Sequence, residues 1–109
     1  YVKKDILILR LKGELDDVSV SDLRTRISNY IESYKINHLV LNLKDLSFLD
    51  SSGIGFIIGR YHQLKKRNGD ITISNVNSRI DRIIYISGLS KICKIRDTEE
   101  AVLSSLVEV

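Results

Sequence analysis

Apolar and polar positions alternate along the chain in two distinct periods. Ile6-Leu7-Ile8-Leu9-Arg10-Leu11 is a nearly continuous apolar run of strand length, and Lys12-Gly13-Glu14-Leu15-Asp16-Asp17 is its polar exit. Val20, Leu23, Ile27, Ile31 and Tyr34 then recur at steps of three and four residues, which is one face of an amphipathic helix. Ser19 or Asp17 is available to cap it. Leu39-Val40-Leu41-Asn42-Leu43 reads as a second strand. The segment from Lys44 to Asp50 reads as a loop whose Leu46, Phe48 and Leu49 need burial. A second helix opens at Ser51-Ser52-Gly53, turns Ile54, Ile57, Ile58, Tyr61 and Leu64 inward, and closes at Asn68-Gly69, with Gly69 at C′.

The pattern repeats twice more. Ile71-Thr72-Ile73 is a third strand, and Asn77 or Ser78 caps a third helix carrying Ile80, Ile83 and Ile84 up to Gly88. Ile92-Cys93-Lys94-Ile95 is the last strand, followed by a helix starting at Asp97 or Thr98 with Glu99 and Glu100 in its first turn, where acids favour the helix dipole. Strands alternating with helices predict an α/β fold. The expected architecture is a mixed or mostly parallel sheet of four to five strands, with about four helices and right-handed crossovers. One layer of helices should cover one face, with a helix at the edge.

Composition narrows the function classes. The chain has 109 residues, enough for one domain spanning 1–109; 43% are hydrophobic and 28% charged, the balance of a soluble globular protein. No apolar run approaches the ~18–20 residues of a membrane span, and no secretory signal or glycosylation sequon is present, so a cytoplasmic location is expected. A single cysteine, Cys93, excludes an internal disulfide and a cysteine-rich zinc site; it reads as a small buried hydrophobe. His38 and His62 lack metal-ligand spacing, so no metal and no cofactor are expected. The net charge of +3 is dispersed, apart from Lys65-Lys66-Arg67 at a helix end. Neither an aromatic platform nor a helix-turn-helix pattern accompanies it, so direct nucleic-acid binding is not expected.

The chemistry concentrates between Leu46 and Tyr61. Asp50, Ser51 and Ser52 place a carboxylate and two hydroxyls at a helix N-terminus, followed by Gly53 and Gly55. Such a terminus can bind an anion through its free amides, and a bare start lets a partner's backbone approach. The same three residues are equally good N-caps. Gly53, Gly55 and Gly59 give G-x-G-x-x-x-G, one residue longer than the dinucleotide fingerprint, and the Gly-Lys-Ser/Thr of a Walker A loop is missing. No Ser/His/Asp arrangement fixes a base beside Ser52, so the serine reads as a substrate and the chain is not expected to be an enzyme. The residues alone do not choose between Ser51 and Ser52.

Leu46-Ser47-Phe48-Leu49-Asp50-Ser51-Ser52-Gly53-Ile54-Gly55, continued by Gly59-Arg60-Tyr61, resembles the signature of the STAS-domain anti-sigma factor antagonists. Gly13-Glu14-Leu15-Asp16 resembles the family's strand-exit motif, and Ser87-Gly88-Leu89 its motif after the third helix. The likeness runs from about Ile6 to Leu106 and is greatest to the sporulation branch; Asp17-Val18 departs from the histidine-rich pair common there. The resemblance implies a STAS fold and partner switching in transcription regulation. The unphosphorylated protein would bind an anti-sigma factor that is also a serine kinase and so release the sigma factor. Phosphorylation of Ser52 would end the complex, and a serine phosphatase would reset it. Asp16, Asp50, Ser51, Gly53, Ile54, Gly55, Gly88 and Leu89 are the implied partner-binding residues.

Two other readings remain open on the sequence. A STAS module can instead bind a nucleotide or regulate a transporter or stress complex. Asp16-Asp17 with Asp50 also suggests a Mg²⁺-dependent aspartyl phosphoacceptor, although Asp50 follows the second strand in order and no lysine is clearly placed to complete that site.

Overall fold

A computed structural model describes residues 2–107; Tyr1 and residues 108–109 of the expected domain lie outside them. The elements in chain order are β1 (Val2–Lys3), β2 (Ile6–Leu15), α1 (Asp17–Ser33), β3 (His38–Leu49), α2 (Ser51–Lys65), β4 (Asp70–Ser74), α3 (Asp81–Ile86), α4 (Leu89–Ile92), β5 (Lys94–Arg96) and α5 (Glu99–Val107). They form a five-stranded mixed sheet in the order β1-β2-β3-β4-β5. β1 is antiparallel to β2, and every later pair is parallel. Each parallel connection steps the same way across the sheet. Right-handed crossovers therefore put α1, α2 and α3 on one face.

Side-chain alternation divides the core accordingly. Leu7, Leu11, Leu39, Leu41, Leu43, Ile71 and Ile73 pack under α1 and α2 with Val20, Ile27, Ile31, Phe56, Ile57 and Leu64. Ile6, Ile8 and Val40 point to the opposite face, where Val102 of α5 covers them. The last helix therefore lies over the second face and not at the edge. Arg10 and Asn42, paired in register, point to that face as well. They hold Glu99 through Arg10 Nε and Nη2 (2.8 and 2.9 Å) and through the Asn42 amide (2.5 Å). Glu99 is thereby buried, and its carboxyl is held down at about 2 by the Arg10 hydrogen bond first, with Asn42 adding to it against the cost of burial.

Several boundaries differ from the sequence expectation. β2 runs through the polar exit to Leu15, and β3 runs through the expected loop to Leu49. The two tails pair with each other, with register shifts between Arg10 and Lys12 and between Gly13 and Glu14. Backbone pairing satisfies polar main-chain groups whatever the side chains are, so hydropathy did not show it. Leu46 and Leu49 are buried as expected, but Phe48 is 44% exposed.

Helix ends differ too. Asp16, and not Ser19 or Asp17, caps α1. α2 ends with Asn68 in the left-handed region (φ 61°), while Gly69 lets the chain pass against the Asn37 backbone, where a Cβ would collide with the Asn37 carbonyl. α3 starts at Asp81 without a side-chain cap. Asn77 caps the turn that leads into α3, its Oδ1 accepting from the Arg79 amide at 2.9 Å, and its Nδ2 ties that turn to β3 by donating to the carbonyls of Leu43, Lys44 and Leu46 at 2.8–2.9 Å. Ile92 lies in the short helix α4 and not in a strand. Gly88 adopts φ 87°, which reverses the chain and sends Leu89 into the core, so the sheet resumes only after Cys93.

Candidate functional site

The carboxyl edge of the sheet gathers the chemistry. Leu15 and Leu49 are in register on adjacent parallel strands, so the residues that follow them, Asp16 and Asp50, emerge side by side. Each starts a helix. Asp16 accepts from the Val18 and Ser19 amides at 3.2 and 3.0 Å, and Ser19 Oγ accepts from the Asp16 amide at 3.0 Å, closing a capping box. Hydrogen bonds from Ser19, its backbone amide above all, hold the Asp16 carboxyl below the ordinary aspartate range. Asp50 Oδ1 accepts from the Ser52 and Gly53 amides at 2.9 and 3.3 Å. The α2 start is therefore capped from within, and those two amides are not free to cradle an anion.

The serines project from this capped turn. Ser51 is exposed and Ser52 half-buried. Among the described residues neither hydroxyl has a hydrogen-bond partner. Gly53 is buried against the strand ends: a Cβ there would lie 2.5 Å from Leu49 Cδ1 and 2.8 Å from the Leu15 carbonyl oxygen. This close approach seats the helix start on β2 and β3 and fixes where Ser52 stands. Gly55 is exposed with open space around it. Ile54 is half-buried and packs on the core.

Comparison with known proteins fits this arrangement. The STAS domain family model matches residues 1–102. The chain belongs to the STAS domain family. An anti-sigma F factor antagonist of Paenibacillus polymyxa is 39% identical over 103 residues, covering 94% of this chain and 88% of the relative. An anti-sigma-B factor antagonist of Bacillus subtilis (strain 168) is 32% identical over 92 residues, covering 84% and 83%. Among solved structures, the anti-sigma factor antagonist SpoIIAA in its unphosphorylated form superposes with a TM-score of 0.88 at 29% identity, covering 100% of this chain and 94% of that one. The described fold is thus a SpoIIAA-like STAS fold.

Within this STAS domain the structure unites Asp16, Asp50, Ser51, Ser52, Gly53, Ile54 and Gly55 around two neighbouring helix starts. Gly88 and Leu89 stand apart from that cluster in the chain path, after α3 has run back from the carboxyl edge. Leu89 is fully buried, so its side chain offers no surface. The pattern of the sequence did not mark Val18, and it marked Phe48 as a residue to be buried. Val18, on the first turn of α1, is 81% exposed. Phe48, two residues before Asp50, is also on the surface. They add apolar surface to a polar edge, and the one available signal was that Val18 falls off the apolar stripe of α1.

The aspartyl phosphoacceptor reading loses its geometry. Asp16 and Asp50 each give one carboxylate oxygen, Oδ1, to helix amides, and no group of three or more potential metal ligands occurs among the described residues. No helix among the described residues is long and apolar enough to cross a membrane.

Proposed function

We propose that this STAS domain is an anti-sigma factor antagonist that works by partner switching. The unphosphorylated form binds an anti-sigma factor with serine kinase activity in the cytoplasm and frees the sigma factor. Phosphorylation of Ser52 dissolves that complex, and a serine phosphatase restores it. The protein is a regulator and a kinase substrate, not an enzyme, and it acts without cofactor, DNA or membrane. The observation that carries the reading is the Ser52 hydroxyl. It sits without an internal partner on the first turn of a helix whose amides Asp50 already satisfies. Such a hydroxyl serves no need of the fold that another residue could not meet; Ser51 shares this freedom, and Ser52 is chosen over it as the serine directly before Gly53 in the motif that resembles the family's.

The same geometry supports a switch at the interface. The carboxyl edge presents polar caps (Asp16, Asp50), small residues (Ser51, Gly55) and exposed apolar tips (Val18, Phe48), with Gly53 and Ile54 supporting them and the Gly88-Leu89 turn apart from them. A polar rim with apolar contacts suits a protein partner. Phosphorylation adds about −1.5 to −2 charges. Because Asp50 occupies the Ser52 and Gly53 amides, the phosphate has no ready cradle there and points outward beside a carboxylate. A partner surface fitted to a hydroxyl would have to bury that charge unpaired, at a cost of several kcal/mol, or two to three decades of affinity.

The test is to incubate the protein with candidate anti-sigma kinases and ATP and to map the modified residue. Ser52→Ala should bind the anti-sigma factor and take up no phosphate, while Ser51→Ala is modified normally. Equal incorporation into Ser52→Ala and wild type would overturn the assignment. Circular dichroism and thermal melting of the phosphorylated form should match those of the unmodified form. Lost helix or a melting point many degrees lower would mean that release comes from unfolding instead.

A further inference from the structure

The chain contains one Asn-Gly step, Asn68-Gly69, just beyond the end of α2. That dipeptide carries a reaction of its own. The glycine amide nitrogen attacks the asparagine side-chain carbon Cγ, the C–N bond of the side-chain amide breaks, ammonia leaves, and a succinimide ring closes. Water then opens the ring at either carbonyl. One product is aspartate. The other is isoaspartate, in which the main chain runs through Cβ and Cγ and is one atom longer. Glycine favours the closure because no side chain hinders rotation about its nitrogen.

The fold spends that nitrogen elsewhere. Asn68 stands in the left-handed region at φ 61°, which asparagine tolerates after a helix. Its amide donates to the Lys65 carbonyl at 3.2 Å, and the Gly69 amide donates to the Leu64 carbonyl at 2.8 Å. These are the two bonds of a Schellman turn. The nucleophile of the cyclisation is thus the donor of the shorter bond. To react, the Gly69 N–H must leave Leu64 and give up its proton to base. The Asn68 side chain is exposed, so the shield lies in the backbone and not in burial of the reacting carbon.

The chain after the step has no slack. Gly69 is buried, and a Cβ there would collide with the Asn37 carbonyl. The next amide, Asp70, donates to that same carbonyl at 2.9 Å. Asp70 opens β4, and its carboxylate meets His38 Nδ1 at 2.8 Å and Lys94 Nζ at 3.0 Å. An extra main-chain atom between Asn68 and Gly69 must break the bond to Leu64 or push Gly69 into Asn37. An aspartate at position 68 keeps the backbone length and both turn bonds.

We propose that Asn68 is a deamidation site that the Schellman turn keeps latent. Succinimide closure proceeds only when the end of α2 opens, and the isoaspartyl product cannot rebuild the turn. The site lies at the far end of α2 from Ser52, roughly 20 Å along the helix axis. The change therefore acts on the seat of α2 and β4 and leaves the Ser52 surface as it was.

The test is to incubate the full chain in mildly alkaline buffer, both folded and in concentrated guanidinium chloride. The tryptic peptide 68–79 is followed by mass spectrometry, with isoaspartyl methyltransferase labelling to detect the isoaspartyl product. Fragment spectra separate Asn68 from Asn75 and Asn77, which serve as internal references. In denaturant Asn68 should react before either of them. In the folded chain it should react at least about tenfold more slowly than in denaturant, because reaction waits on local opening. The isoaspartyl chain, purified from the denatured sample and returned to buffer, should melt several degrees below wild type or fail to refold. Asn68→Asp and Asn68→Gly, which keep the backbone length and suit the left-handed turn, should melt close to wild type. A folded chain slowed by less than tenfold would overturn the proposal. So would prior reaction of Asn75 or Asn77 in denaturant, an isoaspartyl chain as stable as wild type, or an Asn68→Asp chain as unstable as the isoaspartyl one.

Discussion

Gly53→Ala and Gly55→Ala place the same methyl group two residues apart on the first turns of α2, and the structure assigns them opposite signs. At Gly53 the new Cβ meets Leu49 Cδ1 at 2.5 Å, the Leu15 carbonyl oxygen at 2.8 Å and Leu15 Cγ at 3.0 Å. The Leu49 methyl could turn aside, but the Leu15 carbonyl belongs to a strand end paired with β3. The helix start must therefore lift off the sheet. Overpacking of this kind costs about 1–3 kcal/mol, and the better helix propensity of alanine returns at most about 1 kcal/mol. A net loss of about 1–2 kcal/mol should lower the melting temperature by roughly 5–10 °C in a domain of this size. At Gly55 the Cβ meets nothing within 4 Å. The same change there should be neutral or stabilising, by up to about 1 kcal/mol. Urea and thermal unfolding of both variants measure the contrast. A Gly53→Ala protein as stable as wild type would show that α2 is not seated on Leu15, and the account of how Ser52 is positioned would fall with it.

Stability should also depend on Glu99. Its folded pKa of about 2 lies below the ordinary 4.5, so the unfolded chain binds the extra proton between those values. Its contribution is full above about pH 4.5 and fades as pH falls toward about 2. Urea titrations across that window should show a slope that Glu99→Gln flattens, with Glu99→Gln less stable than wild type at pH 7. The Cys93 thiol, pushed up to about 11 by burial and the Asp70 charge, should be roughly a thousandth ionised at pH 8. Iodoacetamide should therefore label the folded protein far more slowly than the unfolded one; equal rates would refute its burial.

The period of the apolar residues was enough to place β2, β3, β4 and the long helices α1 and α2, because burial of one face imposes a three-to-four-residue repeat on a helix and a compact apolar run on a buried strand. The motif around Asp50 was legible for a related reason. A helix start on a sheet edge needs a capping carboxylate, and a close approach needs a glycine, so Asp50 and Gly53 record local geometry in local sequence. What depended on remote partners was hidden. The polar tails of β2 and β3 are strands only because each finds the other. Asn77 ties the turn before α3 to the sheet because three carbonyls of β3 come within reach of its Nδ2. Arg10 and Glu99 lie far apart in the chain and meet only when α5 folds over the second face. Hydropathy encodes what each segment needs from water; which distant group satisfies its remaining hydrogen bonds is decided when the segments pack.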